Sequence, residues 1–497
     1  MTRFIPVVLI LAVCRVSAAQ GTQGDLAARN KAAAEAMSQG RYDAAAGIYR
    51  EMLNALPDEP GLLMNLGMAL AMGSHEADAL QPLQRAVSLN PKLIPAHMFL
   101  GSSYLALGRA KEAVGPLERV VAAQPSDIEG RRLLAQAFSA TGRTVDAVAQ
   151  LRRITELAPT VPAAWHALGH AYNALAQEAM STFQSEAEES PWRQLLVADA
   201  LAADGRFTDA FALYRATLEQ LPSMATIHDS IARIYDRTGH ADWAGIERAK
   251  GALPAATCAK RQALCDFRAG RHRTALAAAL AGSDLESRYW RARAATELAL
   301  AAFKRLDTLP DSRERREVRA AVAQSQRRYV DAIAELKAAL KFAPGDPGLE
   351  DDLGTSYYFA RQYEEAVATL TPLVKASPDD ARLSTVVGDS LLQLQRIDEA
   401  LPLLKRAVER DPSAAMARLT LGRAYLQKGE FAAAIPLIAP QLSGDQDGSL
   451  HVQLARAYTG LGQQEKAAGL LARSQELQRA AQERADQVAR RAITPPK

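Results

Sequence analysis

From residue 98 to residue 125 the chain reads MFLGSSYLALGRAKEAVGPLERVVAAQP, two apolar stripes at helical spacing joined by a glycine and closed by a proline. Residues 98–107 put Phe99, Leu100 and Tyr104 on one face of a first helix. Gly108-Arg109 interrupts it, because glycine accepts the left-handed backbone that ends helices. Residues 111–122 form a second helix with Ala113, Leu117 and Val120 turned to the first, and Pro125 stops it. Gly101 and Ala113 let the two backbones approach, while Leu100, Tyr104 and Leu117 fill the space between turns. One such pair cannot bury both apolar faces, so a neighbouring pair must stack on it.

The pattern recurs with a period of 34 residues. Pro57, Pro91, Pro125 and Pro159 keep that spacing, as do Pro344, Pro378 and Pro412. Gly67 and Gly101 share it, as do Gly354, Gly388 and Gly422. Ala45, Ala79 and Ala113 continue it, followed by Ala366, Ala400 and Ala434. Three residue types in one register make a repeat array the primary reading. The register breaks near 173–190, across 245–312, and at 441–448, where QLSGDQDG replaces the closing proline. In the first two regions uninterrupted helical patterns run from Trp165 to about Phe183 and from Trp290 to about Phe303, which suggests an older block duplication.

The spacing of Leu100, Gly101, Tyr104, Gly108, Ala113 and Pro125, repeated at Leu421, Gly422, Tyr425, Gly429 and Ala434, resembles the tetratricopeptide repeat, a helix–turn–helix unit. The resemblance implies an all-α fold, a right-handed α-solenoid of about fourteen units starting near residues 26, 60, 94, 128, 162, 191, 225, 256, 287, 313, 347, 381, 415 and 448. We divide it into a signal peptide at 1–19, arrays at 20–255 and 256–475, and a capping helix with a frayed tail at 476–497. In this family the first helix of each unit lines a concave groove through its positions two, five, nine, twelve and thirteen. That places Met64, Met68, Met72, Met98 and Leu105 in the groove, with His166, His170 and Asn173 further along, and Tyr358 and Phe359 in a later unit. Flexible methionines there suit adaptable peptide binding. The alternative is that these methionines, and the aromatic pair, simply pack between units.

The first residues, MTRFIPVVLILAVCRVSAAQ, combine Arg3, an apolar run from Phe4 to Val13 and a small-residue stretch ending at Ala19. They read as a secretory signal cleaved near Ala19, giving an exported chain, periplasmic or secreted. Leu11-Ala12-Val13-Cys14 also approaches a lipoprotein box, though Val13 stands where a small residue is required, so a lipid anchor at Cys14 is the lesser reading. No later run is long and apolar enough for a transmembrane span. A net charge of +3 argues against a dedicated nucleic-acid surface. The arginine-rich stretch from Arg288 to Arg328 is interleaved with Glu286, Glu297, Asp307, Asp311, Glu314 and Glu317, which reads as ion pairs within solvated helices.

His166 and His170 share a helical face at the four-residue spacing of a metal pair, but no third ligand is identifiable, so no metal or other cofactor is expected. Cys258 and Cys265 invite a disulfide in an exported protein. On one helix they would sit about 10.5 Å apart, beyond the ~7 Å limit for bridging, so pairing requires Cys258 to leave the helix for the LPAAT loop. Phosphate loops, nucleophile elbows, dinucleotide glycines and paired-cysteine metal sites are absent from the sequence, and the repeats leave no room for a separate catalytic module. The expected function is a non-catalytic scaffold for protein or peptide segments. An oligomeric bracing part of an envelope secretion or polysaccharide-export machine is the alternative, with the oligomeric state open.

Overall fold

A computed structural model describes residues 20–186, 190–253, 255–489 and 492–496. Among these residues the secondary structure is helical throughout, without strands, and the helices follow one another as packed pairs. The chain is a helical solenoid. The signal segment and Cys14 lie outside the described residues.

The unit read from sequence forms as helices Ile94–Ala106 and Ala110–Ala123. Gly101 and Leu117 meet where they cross: a Cβ on Gly101 would lie 2.5 Å from Leu117 Cγ. The same contact recurs sixteen residues apart at Gly67 and Leu83 (2.4 Å), Gly354 and Leu370 (2.4 Å), Gly388 and Leu404 (2.6 Å), and Gly422 and Ile438 (2.8 Å). Each of these branched side chains is fully buried. Glycine is therefore required by close approach, and the second helix of each pair is set by a leucine or isoleucine lying on the bare backbone of the first.

The turns have a register of their own. Gly40, Gly108 and Gly142 take positive φ, and so does Ser74, which completes the 34-residue series. Later come Arg327 (φ 56°), Arg361 (φ 61°), Gln395 (φ 60°) and Gly429 (φ 82°). The register position thus holds a left-handed residue even where the sequence supplies no glycine. A further regularity lies at the unit boundary: His97, Arg131 and Trp165 each reach a ring or guanidinium nitrogen back to the carbonyl of Pro91, Pro125 or Pro159. These bonds satisfy carbonyls left open where the preceding helix ends.

The uninterrupted patterns read from Trp165 and Trp290 form two single long helices in place of pairs. Where a turn would fall at Ala176, helix Pro162–Glu186 continues, and Leu285–Asp307 is likewise a single long helix. The described residues gather into two compact units. One holds those up to Glu178 together with Ala295–Arg305, the other those of Ala179–Ala294 and Leu306–Lys497. In the first, Gly169 has no leucine sixteen residues on, and Phe303 supplies the contact, with a ring carbon 2.4 Å from where a Cβ would sit. In the second, Phe183 joins Leu195, Tyr214, Tyr289 and Trp290 in one core. Each long helix therefore supplies its first half to one unit and its second half to the other. The boundary anticipated near 255 falls inside the second unit.

The second unit also buries a polar knot. Tyr214 and Tyr289 donate to the two oxygens of Asp199, at 2.6 and 3.0 Å, and Arg293 pairs with the same carboxylate. Burial pushes both phenols well above their ordinary pKa, so they stay protonated donors. Every member is satisfied, which is the condition for such a network to be tolerated in a core.

Cys258 and Cys265 form a disulfide with Cα atoms 5.6 Å apart. Its geometry differs from the expectation: Cys258 lies not in the preceding loop but on a short helix, Ala255–Lys260, and Cys265 on Gln262–Arg268. The chain breaks at Arg261, whose guanidinium is held by Glu286 and the Ser223 carbonyl, and the break brings the sulfurs together. At the C-terminal end, helix Gln464–Ala489 runs through residue 476, and beyond it Ile493 packs on the core of the second unit.

Holding a side chain in the left-handed region costs about 1 kcal/mol. Gln395→Gly is expected to raise stability by that amount, seen as a higher urea midpoint with unchanged slope.

Candidate functional site

The groove register of the first helices divides into buried and exposed positions. Met64 and Met68 are 6% and 9% exposed and belong to the core. For these two the packing reading holds, because Pro60–Met72 is apolar on nearly every face and buried along most of its length. Met72 is 39% exposed, while Met98 and Leu105 are half-buried. His166 is half-buried and His170 exposed; their Nε2 atoms lie 3.1 Å apart, and the His170 ring meets Phe303 edge-on. Asn173 is half-buried on the same helix. Among the described residues no cluster of three His, Cys, Asp or Glu side chains is arranged to hold a metal.

In the second unit Tyr358 and Phe359 part company. Tyr358 donates to Asp389 at 2.6 Å. Phe359 is 53% exposed, and its ring stacks on Tyr329 with centroids 5.1 Å apart. Met416, at the second position of a later unit, is 63% exposed.

A polar ladder absent from the sequence reading runs along the first helices here. Asp389, on Ala381–Gln393, accepts from Tyr358 of Pro347–Phe359 and from Arg423 of Ala415–Lys428 at 3.0 Å. Arg382 pairs with Asp351, and Gln324 donates to Ser356 at 2.9 Å. Burial, and then the hydrogen bond to Asp389, raises the Tyr358 pKa, keeping the phenol a donor. Asp389 and Arg423 are one repeat period of 34 residues apart, whereas Tyr358 stands 31 residues before Asp389, off that register, and only the structure shows that the three meet.

Much of the arginine-rich stretch is ion-paired in place, mostly between helices and loops rather than within one helix. Arg315 and Arg319 converge on Asp307, and Arg316 bridges Asp311 and Glu335. Arg313–Glu317 has the intrahelical spacing of four, and Arg328 pairs with Asp331 three residues on. An open cleft of about 510 Å³ in the first unit is lined by residues 40–44 and 72–74, at two turns and the adjoining helix ends, and its carboxylate, Asp43, is paired with His75.

Repeat period, crossing glycines and turn register coincide with what sequence models detect. Two family models described as tetratricopeptide repeat match, one at residues 30–94 and 387–439, the other at 74–137, 104–177 and 323–389. Together they cover more than half of the chain.

The chain is a tetratricopeptide repeat protein.

Among solved structures it is similar to MamA from Desulfovibrio magneticus RS-1, at 22% identity over 29% of this chain and 82% of that one, with a TM-score of 0.29. MamA AMB-1 matches at 26% identity over 33% of this chain and 98% of that one, with a TM-score of 0.31. No curated protein matches the sequence. The tetratricopeptide family points to protein partners. Among the described residues no helix is long and apolar enough to cross a membrane.

The ladder makes a measurable claim. A double-mutant cycle of Tyr358→Phe and Asp389→Asn, read from urea unfolding, is expected to give a coupling of about 1 kcal/mol.

Proposed function

We infer that this protein is an exported, non-catalytic scaffold that holds segments of other proteins along its first-helix register. The observation that carries the reading is the outward display of large apolar side chains at that register, Met72 in the first unit and Phe359 and Met416 in the second, beside a polar ladder whose members are already paired. Apolar anchors set in a polar frame are how such surfaces divide affinity from specificity. Export is supported by the N-terminal sequence of Arg3, the apolar run and Ala19, and by the Cys258–Cys265 bridge, a bond that persists in oxidising compartments. Cleavage near Ala19 would release the chain into the periplasm or the medium.

The test uses the exposed positions, because Glu at buried Met64 or Met68 would disturb the core. Peptides selected by display on the purified mature chain are measured against Met72→Glu, Phe359→Ser and Met416→Glu. At least one substitution is expected to weaken binding about tenfold, near 1.4 kcal/mol, with helicity unchanged. Undiminished binding to all three variants would place the partner surface elsewhere.

A further inference from the structure

The segment after the last helix is anchored at two points, although Ala492, Thr494 and Pro495 are exposed. Ile493 packs against the core cluster that contains Phe211, Ile231, Tyr235 and Trp290, and the Thr494 carbonyl accepts a hydrogen bond from Tyr235 at 2.7 Å across 259 residues of sequence. Tyr235 is fully buried, on helix Ala225–Arg237, and its ring meets Trp243 edge-on, with His240 stacked on the indole.

Tyr235 occupies the register position that Tyr104 holds in its own unit, four residues before the left-handed turn glycine. At Tyr104 the phenol is engaged from within the array, by Gln84 twenty residues earlier at 2.7 Å. There Gln84 Nε2 donates and the phenol oxygen accepts, whereas at Tyr235 the hydroxyl itself donates, to the Thr494 carbonyl. The segment is suited to the task. Thr494 precedes Pro495 and is steered to extended backbone, and Pro495-Pro496 is stiff, so little chain entropy is lost on docking. Neither proline has an N–H that would need a partner.

We propose that the surface around Tyr235 is a docking site for an extended segment of the form Ile-Thr-Pro-Pro, filled in cis by residues 492–496 of this chain and able to take the same segment in trans. A β-branched side chain enters the core cluster, and the following carbonyl receives the Tyr235 hydroxyl. The short connection from Ala489 gives the cis segment a high effective concentration, so a free peptide competes only when the cis copy is removed. The site is separate from the first-helix register, and its failure would leave the groove reading standing.

A fluorescein-labelled peptide of residues 490–497 tests this by anisotropy against the intact chain and a chain ending at Ala489. The peptide is expected to bind the shortened chain at least tenfold more tightly than the intact one. Tyr235→Phe in the shortened chain should weaken it about fivefold, the loss of one hydrogen bond. An Ile493→Asp peptide should bind at least tenfold more weakly. Absence of binding to a shortened chain that keeps its helicity and melting temperature would overturn the proposal, as would equal binding to both chains. Should the shortened chain fail to fold, the full-length Ile493→Asp variant replaces it, and its failure to gain peptide binding overturns the proposal equally.

Discussion

Everything regular in this molecule depends on how closely two helices can approach when one of them lacks a side chain at the crossing. At Gly67, Gly101, Gly354, Gly388 and Gly422 a branched side chain sixteen residues later fills the space a Cβ would need. The contact sets the separation within the pair, and with it the surface each pair offers the next. Because the same contact recurs at a fixed period, the solenoid is built from local decisions, each enforced by steric exclusion and by burial of a whole leucine or isoleucine, about 1.5–3 kcal/mol apiece. In such an array stability is close to a sum of units and their interfaces.

The two long helices show the same constraint met by other means. Helix Pro162–Glu186 passes the residue at which a turn would form, so Gly169 has no partner in its own hairpin, and Phe303 fills the crossing. Phe183, from the far half of that helix, is buried with Tyr289 and Trp290 in the second unit. The crossing glycine is thus satisfied even where the hairpin is lost. The duplication suspected from Trp165 and Trp290 corresponds to these two helices, each with one half in either compact unit.

Much of this was legible in the residues. Period and crossing glycines are written in single amino-acid types, and the helices follow them, whereas the left-handed turn recurs at Ser74, Arg327, Arg361 and Gln395 with no glycine to mark it. What was not legible depends on rotamers or on distant partners. Nothing in the spacing of Met64 and Met68 distinguishes a groove from a core; their burial follows from a helix apolar on nearly every face. The Asp389 ladder joins Arg423, one period away, to Tyr358, which stands 31 residues away and off the period. The disulfide required a helix break at Arg261, which the sequence run ATCAKRQALC does not announce and which Glu286, 25 residues away, helps to hold. Likewise, a polar tail gives no sign that Tyr235 waits for it.

The central claim concerns the crossing, and two helical glycines isolate it. Gly101 faces Leu117, whereas Gly47, inside helix Tyr42–Ala55, has open space where a Cβ would go. Neither precedes a proline, so the same substitution changes helix propensity alike and packing only at Gly101. Urea unfolding of Gly101→Val and Gly47→Val is the decisive measurement. The account predicts a loss of about 2 kcal/mol for Gly101→Val and no loss for Gly47→Val. Equal effects at the two positions would contradict it.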